Sequence, residues 1–141
     1  MAGGSDRELL EDLLVLESRL VAAYEAALRR DAIERSLGES ILSQERDHVA
    51  ALEKTLGTGA DRNPRATVPS PELTAALQSR AAFGRFAEKL EARAVTAYAG
   101  AAARMRDARL RQPLGSIMAC EAAHRVALRR ALGEDPLGRL P

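Results

Sequence analysis

Two stretches of the same form organise this sequence, Gln44-Glu45-Arg46-Asp47-His48 and Cys120-Glu121-Ala122-Ala123-His124. Each has a glutamate followed three residues later by a histidine, and His48 and His124 are the only histidines in the chain. Residues three apart on an α-helix are neighbours on one face, because a turn takes about 3.6 residues. If both stretches are helical, each presents a carboxylate and an imidazole side by side.

The rest of the chain favours helix throughout. Apolar residues recur at helical spacing, and the alternating pattern typical of strands is almost absent. Capping boxes beginning at Ser5 and Asp31 predict the starts of two helices, and the Ser-Pro pair at 70–71 predicts the start of a third. The predicted elements are helices over 5–30, 32–56, 71–105 and 108–132, a Gly- and Pro-containing linker over 57–70, and an irregular tail over 133–141.

The connections predict how these helices pack. The short turn after the first helix makes the first two an antiparallel hairpin. The linker over 57–70 could extend to roughly 45 Å at about 3.3 Å per residue. That exceeds the length of a helix of some 22 residues, about 33 Å. Asp107 is placed as the N-cap of the fourth helix, with Pro113 kinking or dividing its first turns. We therefore expect one domain over residues 1–141, an all-α antiparallel four-helix bundle with one long crossover between helices two and three.

The two halves of the chain also repeat each other around two further glutamates, Glu17 and Glu91. The matching segments are Leu16-Glu17-x-Arg19-x-Val21-x-Ala23-Tyr24 and Leu90-Glu91-x-Arg93-x-Val95-x-Ala97-Tyr98. Alanine-rich helices resemble each other by chance, but chance does not repeat Glu, Arg, Val and Tyr in register. The repeat predicts two similar helix pairs related by an approximate two-fold axis.

Four carboxylates at one level of a bundle core would repel one another strongly without a counter-charge. Two divalent cations would balance them, and two neutral imidazoles would add no charge. We interpret six residues as the ligands of a dinuclear metal site: Glu17, Glu45, His48, Glu91, Glu121 and His124. Mixed carboxylate and imidazole ligation suits iron or manganese, and zinc is compatible. Taken singly, each residue has a plainer interpretation as a hydrogen-bonded core histidine or a solvated carboxylate.

Other polar residues lie near these six in the helical pattern. Tyr24 and Tyr98 each follow a lone glutamate by seven residues, which is two turns along one face. We favour buried phenols that hydrogen-bond a ligand carboxylate; a transient radical is the alternative. Cys120 lies only about 40° from His124 around the helix. It is interpreted as a core residue, with a ligand or nucleophile role as the alternative. Glu88 is interpreted as part of a solvated face rather than as a seventh carboxylate.

The composition restricts partners and location. A formal net charge of +1 provides no bulk attraction to nucleic acid or membrane. The single cysteine excludes an intrachain disulfide and a CxxC metal knot, which fits a reducing cytosol. No segment has the pattern of a signal peptide or the length of a membrane span. We expect a soluble cytoplasmic protein, and a homodimer would be unsurprising for so small a bundle.

The ligand order Glu, Glu-x-x-His, Glu, Glu-x-x-His resembles that of the ferritin-like superfamily, from the first helix to the fourth. The resemblance is strongest to rubrerythrin-like and bacterioferritin-like di-iron bundles, where a tyrosine in the place of Tyr24 is also common. The resemblance implies that the six residues bind two iron ions. It also implies that the protein reacts with dioxygen or peroxide, as a ferroxidase, peroxidase or oxidase, and takes electrons from an external donor. The alternatives are a non-catalytic metal-binding or structural bundle, and a manganese or mixed-metal variant.

The chain also departs from these relatives. No CxxC pairs supply a rubredoxin module, and Ala94 stands where a rubrerythrin offers an additional carboxylate. Arg46 stands where a haem-binding bacterioferritin carries methionine, so no haem is implied. The sequence predicts no fifth helix of the kind that closes a ferritin cage. Neither iron storage nor rubrerythrin activity is therefore predicted.

Overall fold

A computed structural model describes the chain over residues 5–57 and 70–137. Its α-helices are α1 (Asp6–Arg29), α2 (Arg35–Leu56), α3 (Pro71–Ala76), α4 (Arg80–Arg104) and α5 (Arg111–Ala131), with a 3₁₀ turn, Ala108–Leu110, before α5. Over the described residues all regular structure is helical, which confirms the predicted all-α class. Most of the predicted linker (58–69) and the end of the predicted tail (138–141) lie outside the described residues. No helix in the described ranges is long and apolar enough to cross a membrane.

The four long helices pack as two antiparallel hairpins. α1 contacts α2 and α4, and α5 contacts α4 and α2. The guanidinium of Arg7 donates to the Leu56 carbonyl at 3.4 Å, so α2 ends where α1 begins. Arg80 pairs with Asp31 at 2.9 Å, so α4 begins at the opposite end of the bundle. The chain between α2 and α4 therefore joins opposite ends, as a bundle with one crossover requires.

The start of α2 differs from the prediction. The capping box predicted at Asp31 is wrong: Asp31 has a positive φ of 54° and lies in the turn. The carboxylate of Glu34 accepts instead from the N–H groups of Ser36 and Leu37, at 3.0 and 2.8 Å. The helix therefore begins at Arg35 rather than at 32, because the last acidic residue before the helix satisfies its first free N–H groups.

The third predicted helix, 71–105, is divided in the structure. Ser70 caps α3 as expected, and its hydroxyl accepts from the N–H of Leu73 at 3.1 Å. Ser79 then caps α4, accepting from the N–H of Ala82 at 3.0 Å. A serine hydroxyl competes with the helical carbonyls for nearby N–H groups, so the second serine starts a new helix.

The connection before α5 agrees with its prediction. The carboxylate of Asp107 caps the short 3₁₀ turn, accepting from the N–H of Arg109 at 3.0 Å. Pro113 then lies in the first turn of α5, where its missing N–H is tolerated. The fourth predicted helix thus begins as a short turn followed by a main segment.

Two apolar clusters fill the bundle, one on each side of its middle. The cluster nearer the α1–α2 turn includes Leu20, Tyr24, Ile41, Phe83 and Leu128. The cluster at the other end includes Leu10, Leu13, Leu52, Tyr98 and Leu114. Between these clusters all four long helices contribute buried polar side chains.

Candidate metal centre

The six residues predicted as metal ligands lie together between the two apolar clusters. The four glutamates have no solvent exposure, and His48 and His124 are 8% and 4% exposed. α1 and α4 each contribute one glutamate, and α2 and α5 each contribute a Glu-x-x-His pair. Charged groups this far from water are stable only when paired, protonated or bound to metal.

The six residues form two overlapping groups. One, which we call the His48 position, comprises Glu17, Glu45, His48 and Glu121. The other, the His124 position, comprises Glu45, Glu91, Glu121 and His124. Within each group the candidate ligand atoms lie within 4.8 Å of one another. Each position has its own histidine and one glutamate of its own, and we call these two glutamates, Glu17 and Glu91, the terminal glutamates. The two positions share Glu45 and Glu121.

The shared glutamates each direct one oxygen to each histidine. Nδ1 of His48 lies 3.1 Å from Oε2 of Glu45 and 3.1 Å from Oε1 of Glu121. Nδ1 of His124 lies 3.0 Å from Oε1 of Glu45 and 3.0 Å from Oε2 of Glu121. This is the arrangement that a pair of bridging carboxylates needs.

The terminal glutamates are more distant from the rings. Oε1 of Glu17 lies 3.6 Å from Nδ1 of His48, and Oε1 of Glu91 lies 3.4 Å from Nδ1 of His124. Each terminal glutamate contacts only one ring, so the pattern is one terminal carboxylate and one imidazole at each position.

Each of the four glutamates has one buried oxygen without a hydrogen bond from any described residue: Glu17 Oε2, Glu45 Oε1, Glu91 Oε2 and Glu121 Oε1. Glu45 Oε1 and Glu121 Oε1 do approach a histidine Nδ1, but at angles that make no hydrogen bond. A buried oxygen without a donor costs about 1–3 kcal/mol. A cation would accept its lone pair, so these residues fit two divalent metal ions.

Burial and mutual repulsion keep protons in this cluster when no metal is bound. Burial raises the pKa of Glu45 to about 9 and that of Glu121 to about 7, although hydrogen bonds from the histidines oppose the rise. Burial opposes the charge on His124, yet the surrounding carboxylates outweigh it and raise its pKa to about 12. The pKa of His48 is raised for the same reason. Metal ligands must be deprotonated, so metal binding here would release protons.

The two tyrosines join the hairpins through the terminal glutamates. The Tyr24 hydroxyl on α1 donates to Oε1 of Glu91 on α4 at 2.6 Å. The Tyr98 hydroxyl on α4 donates to Glu17 on α1. The expected hydrogen bonds to carboxylates are therefore present, and each is made to the glutamate of the opposite hairpin. Burial, together with these carboxylates, raises the pKa of both phenols, so they remain protonated donors.

Cys120 lies outside both groups of candidate ligands. It is half-buried, and its Sγ lies 3.5 Å from Nε2 of His124, on the side of the ring away from the carboxylates. The same Nε2 lies 2.6 Å from Oε1 of Gln44. Sequence reasoning missed Gln44, although it directly precedes Glu45 as Cys120 precedes Glu121.

The prediction that Glu88 lies on a solvated face is wrong. Its Oε1 accepts hydrogen bonds from Arg125 and Arg129 of α5 at about 2.9–3.0 Å. The carboxylate is therefore held between α4 and α5 by two guanidinium groups, away from the candidate metal positions.

Comparison with known proteins agrees with this geometry. The sequence model of the family described as ferritin-like domain matches residues 5–134. Comparisons with curated proteins and with solved structures gave no match. The matched range contains both hairpins and all six buried polar residues. The chain therefore belongs to the ferritin-like domain family.

Proposed function

We propose that this chain is a dinuclear non-haem iron protein that reacts with dioxygen or peroxide, as a ferroxidase, peroxidase or oxidase. The observation that carries the proposal is the shared pair of glutamates. Glu45 and Glu121 each direct one oxygen to the His48 position and one to the His124 position. A structural ion pair would need neither two matched positions nor carboxylates common to both.

The residues divide into clear roles in this proposal. Glu45 and Glu121 would bridge the ions, Glu17 with His48 would complete one position, and Glu91 with His124 would complete the other. Four carboxylates and two neutral imidazoles balance two divalent charges. When bound, iron would supply the electrons for reaction with the oxidant, which no side chain here supplies. We propose that an external donor restores those electrons. Manganese or a mixed pair would suit the same donors.

The protein itself would orient the ligands and exclude water. The phenols of Tyr24 and Tyr98 fix one oxygen of each terminal glutamate, which leaves the other oxygen free for a cation. The apolar clusters on both sides keep solvent from the core, where a low dielectric strengthens each cation–carboxylate contact.

The test begins with metal-stripped protein loaded anaerobically with ferrous iron. We expect about two ions retained per chain, and faster consumption of dioxygen or hydrogen peroxide than by the same amount of free iron. Glu121→Gln, which removes one bridging charge, should lose both properties. Asp47→Asn, an exposed carboxylate on the same helix as Glu45, is the matched control and should lose neither.

Two outcomes would contradict the proposal. A wild-type chain that retains no iron would refute the metal site itself. A chain that retains two ions but consumes no more oxidant than free iron would support the alternative, a metal-binding bundle without turnover.

A further inference from the structure

The internal repeat places Gln44 and Cys120 at equivalent positions, each directly before the glutamate of a Glu-x-x-His pair. The two side chains meet between α2 and α5, with Sγ of Cys120 3.3 Å from Oε1 of Gln44. Only Gln44 forms a short contact with a histidine, 2.6 Å from its Oε1 to Nε2 of His124. The approximate two-fold relation between the halves is therefore broken at this pair.

The Gln44 contact holds Nε2 of His124 on the side of the ring away from the carboxylates. An amide oxygen is only an acceptor, so Nε2 of His124 must carry the proton that it donates. Nδ1 is then the nitrogen left to face Glu45, Glu91 and Glu121, all within 3.4 Å. A hydrogen bond on the outer nitrogen also orients the ring and makes the inner nitrogen a stronger ligand.

The outer nitrogen of His48 lacks an equivalent hydrogen bond from the described residues. Among residues 5–57 and 70–137, no side chain or carbonyl makes a hydrogen bond with Nε2 of His48. The equivalent residue, Cys120, has a shorter side chain and contacts His124 instead. Both positions have one histidine and three glutamates, and the Gln44 contact is present at only one of them.

We propose that Gln44 is a positioning residue that makes the His124 position the tighter of the two metal positions. The proposal rests on the dinuclear site proposed above, and its ligand class is a divalent cation. Gln44 touches neither the carboxylates nor the place of the ion, and acts through the tautomer and orientation of His124.

The test uses Zn²⁺ as the probe, with titration calorimetry and imidazole ¹⁵N spectra of the metal-stripped full chain. Two histidines give signals that can be assigned by single variants. In the wild type we expect two binding steps of unequal affinity. The first equivalent of Zn²⁺ should shift the signals of His124, and the second should shift those of His48. Gln44→Leu should weaken the tighter step about 10- to 100-fold and leave the weaker step unchanged.

Three variants separate positioning from a general effect on the fold. Gln44→Glu keeps an acceptor oxygen and should retain the tighter step. Cys120→Ala removes the neighbouring side chain and should change neither step by more than about twofold. Exchange of the pair, Gln44→Cys with Cys120→Gln, moves the acceptor to the other half and should make His48 respond first. Gln44 is exposed, so these variants should keep the helical circular dichroism of the wild type.

The results that overturn the inference are distinct from those that overturn the site. Two equal steps in the wild type, equal weakening of both steps by Gln44→Leu, or the same weakening by Cys120→Ala would each refute the role of Gln44 while the dinuclear site stands. A wild-type chain that binds no Zn²⁺ and no iron would refute both.

Discussion

Replacement of Glu45 by glutamine should stabilise the metal-free protein while it removes metal binding. Burial raises the pKa of Glu45 to about 9, so near pH 7 the folded metal-free chain holds this carboxyl protonated. A protonated carboxyl and an amide have nearly the same shape. Glutamine therefore replaces the form that the folded metal-free protein already favours, without the cost of taking up a proton.

The magnitude and sign follow from the two pKa values. The ordinary pKa of a glutamate is 4.5, so at pH 7 the carboxyl of Glu45 has released its proton in the unfolded chain but keeps it in the folded chain. The difference of about 2.5 pH units corresponds to about 3 kcal/mol of lost stability. Because the folded pKa is raised, this loss is absent below about pH 4.5, grows as the pH rises, and levels off near pH 9. Glu45→Gln should therefore raise the unfolding free energy by about 3 kcal/mol at pH 7, equivalent to roughly 10 °C in melting temperature.

Urea unfolding followed by circular dichroism between pH 5 and 9, with chelator present, measures this effect. Glu17→Gln is the matched control, because Glu17 is equally buried but has the opposite shift. Burial alone would raise the pKa of Glu17, but hydrogen bonds from His48 and other neighbours, including Tyr98, outweigh it and lower the pKa. Glutamine at 17 should therefore destabilise the metal-free chain near pH 7. Destabilisation by Glu45→Gln, or an unchanged slope of stability against pH, would refute the assignment of the proton to Glu45.

Four further substitutions test packing and polar contacts, each by urea unfolding of the metal-free chain. Tyr24→Phe should cost about 1–3 kcal/mol, because it removes a buried donor to a carboxylate, and an unchanged stability would argue against that hydrogen bond. Gly38→Ala should cost about 1–2 kcal/mol, because the new methyl group would lie 2.7 Å from a branch of Ile33. At Gly100 the methyl group would meet Nη2 of Arg104 at an ordinary 3.9 Å, so Gly100→Ala should gain about 0.5–1 kcal/mol. Glu88→Gln should cost about 1–2 kcal/mol at pH 7. Burial raises the pKa of Glu88, but its two arginine partners outweigh this and lower it. The difference from wild type should therefore shrink as the pH falls below the ordinary value of 4.5, and disappear once the folded carboxylate is protonated.

The sequence by itself determined the helical class and the composition of the buried polar cluster. Helical spacing fixes the angle of each residue around its own helix, so a glutamate on an apolar stripe must face the core. Glu17 and Glu91 could be recognised in this way, and the repeated Glu-x-x-His spacing added the other four residues. Helix boundaries were less predictable, because the serine at 79 and the acidic residue at 34 compete with equally plausible caps nearby.

Only the tertiary structure decided which side chains meet across the bundle. Periodicity gives an angle on one helix, but not the rotation and axial level of four helices relative to one another. The partners of Tyr24 and Tyr98 are 67 and 81 residues away in sequence, and each lies on the opposite hairpin. The contact of Gln44 with His124 likewise spans 80 residues and breaks the repeat that the sequence displays. Distances of about 3 Å between such residues depend on packing, so the sequence predicted which residues form the buried polar cluster, while the fold determined which of them contact one another.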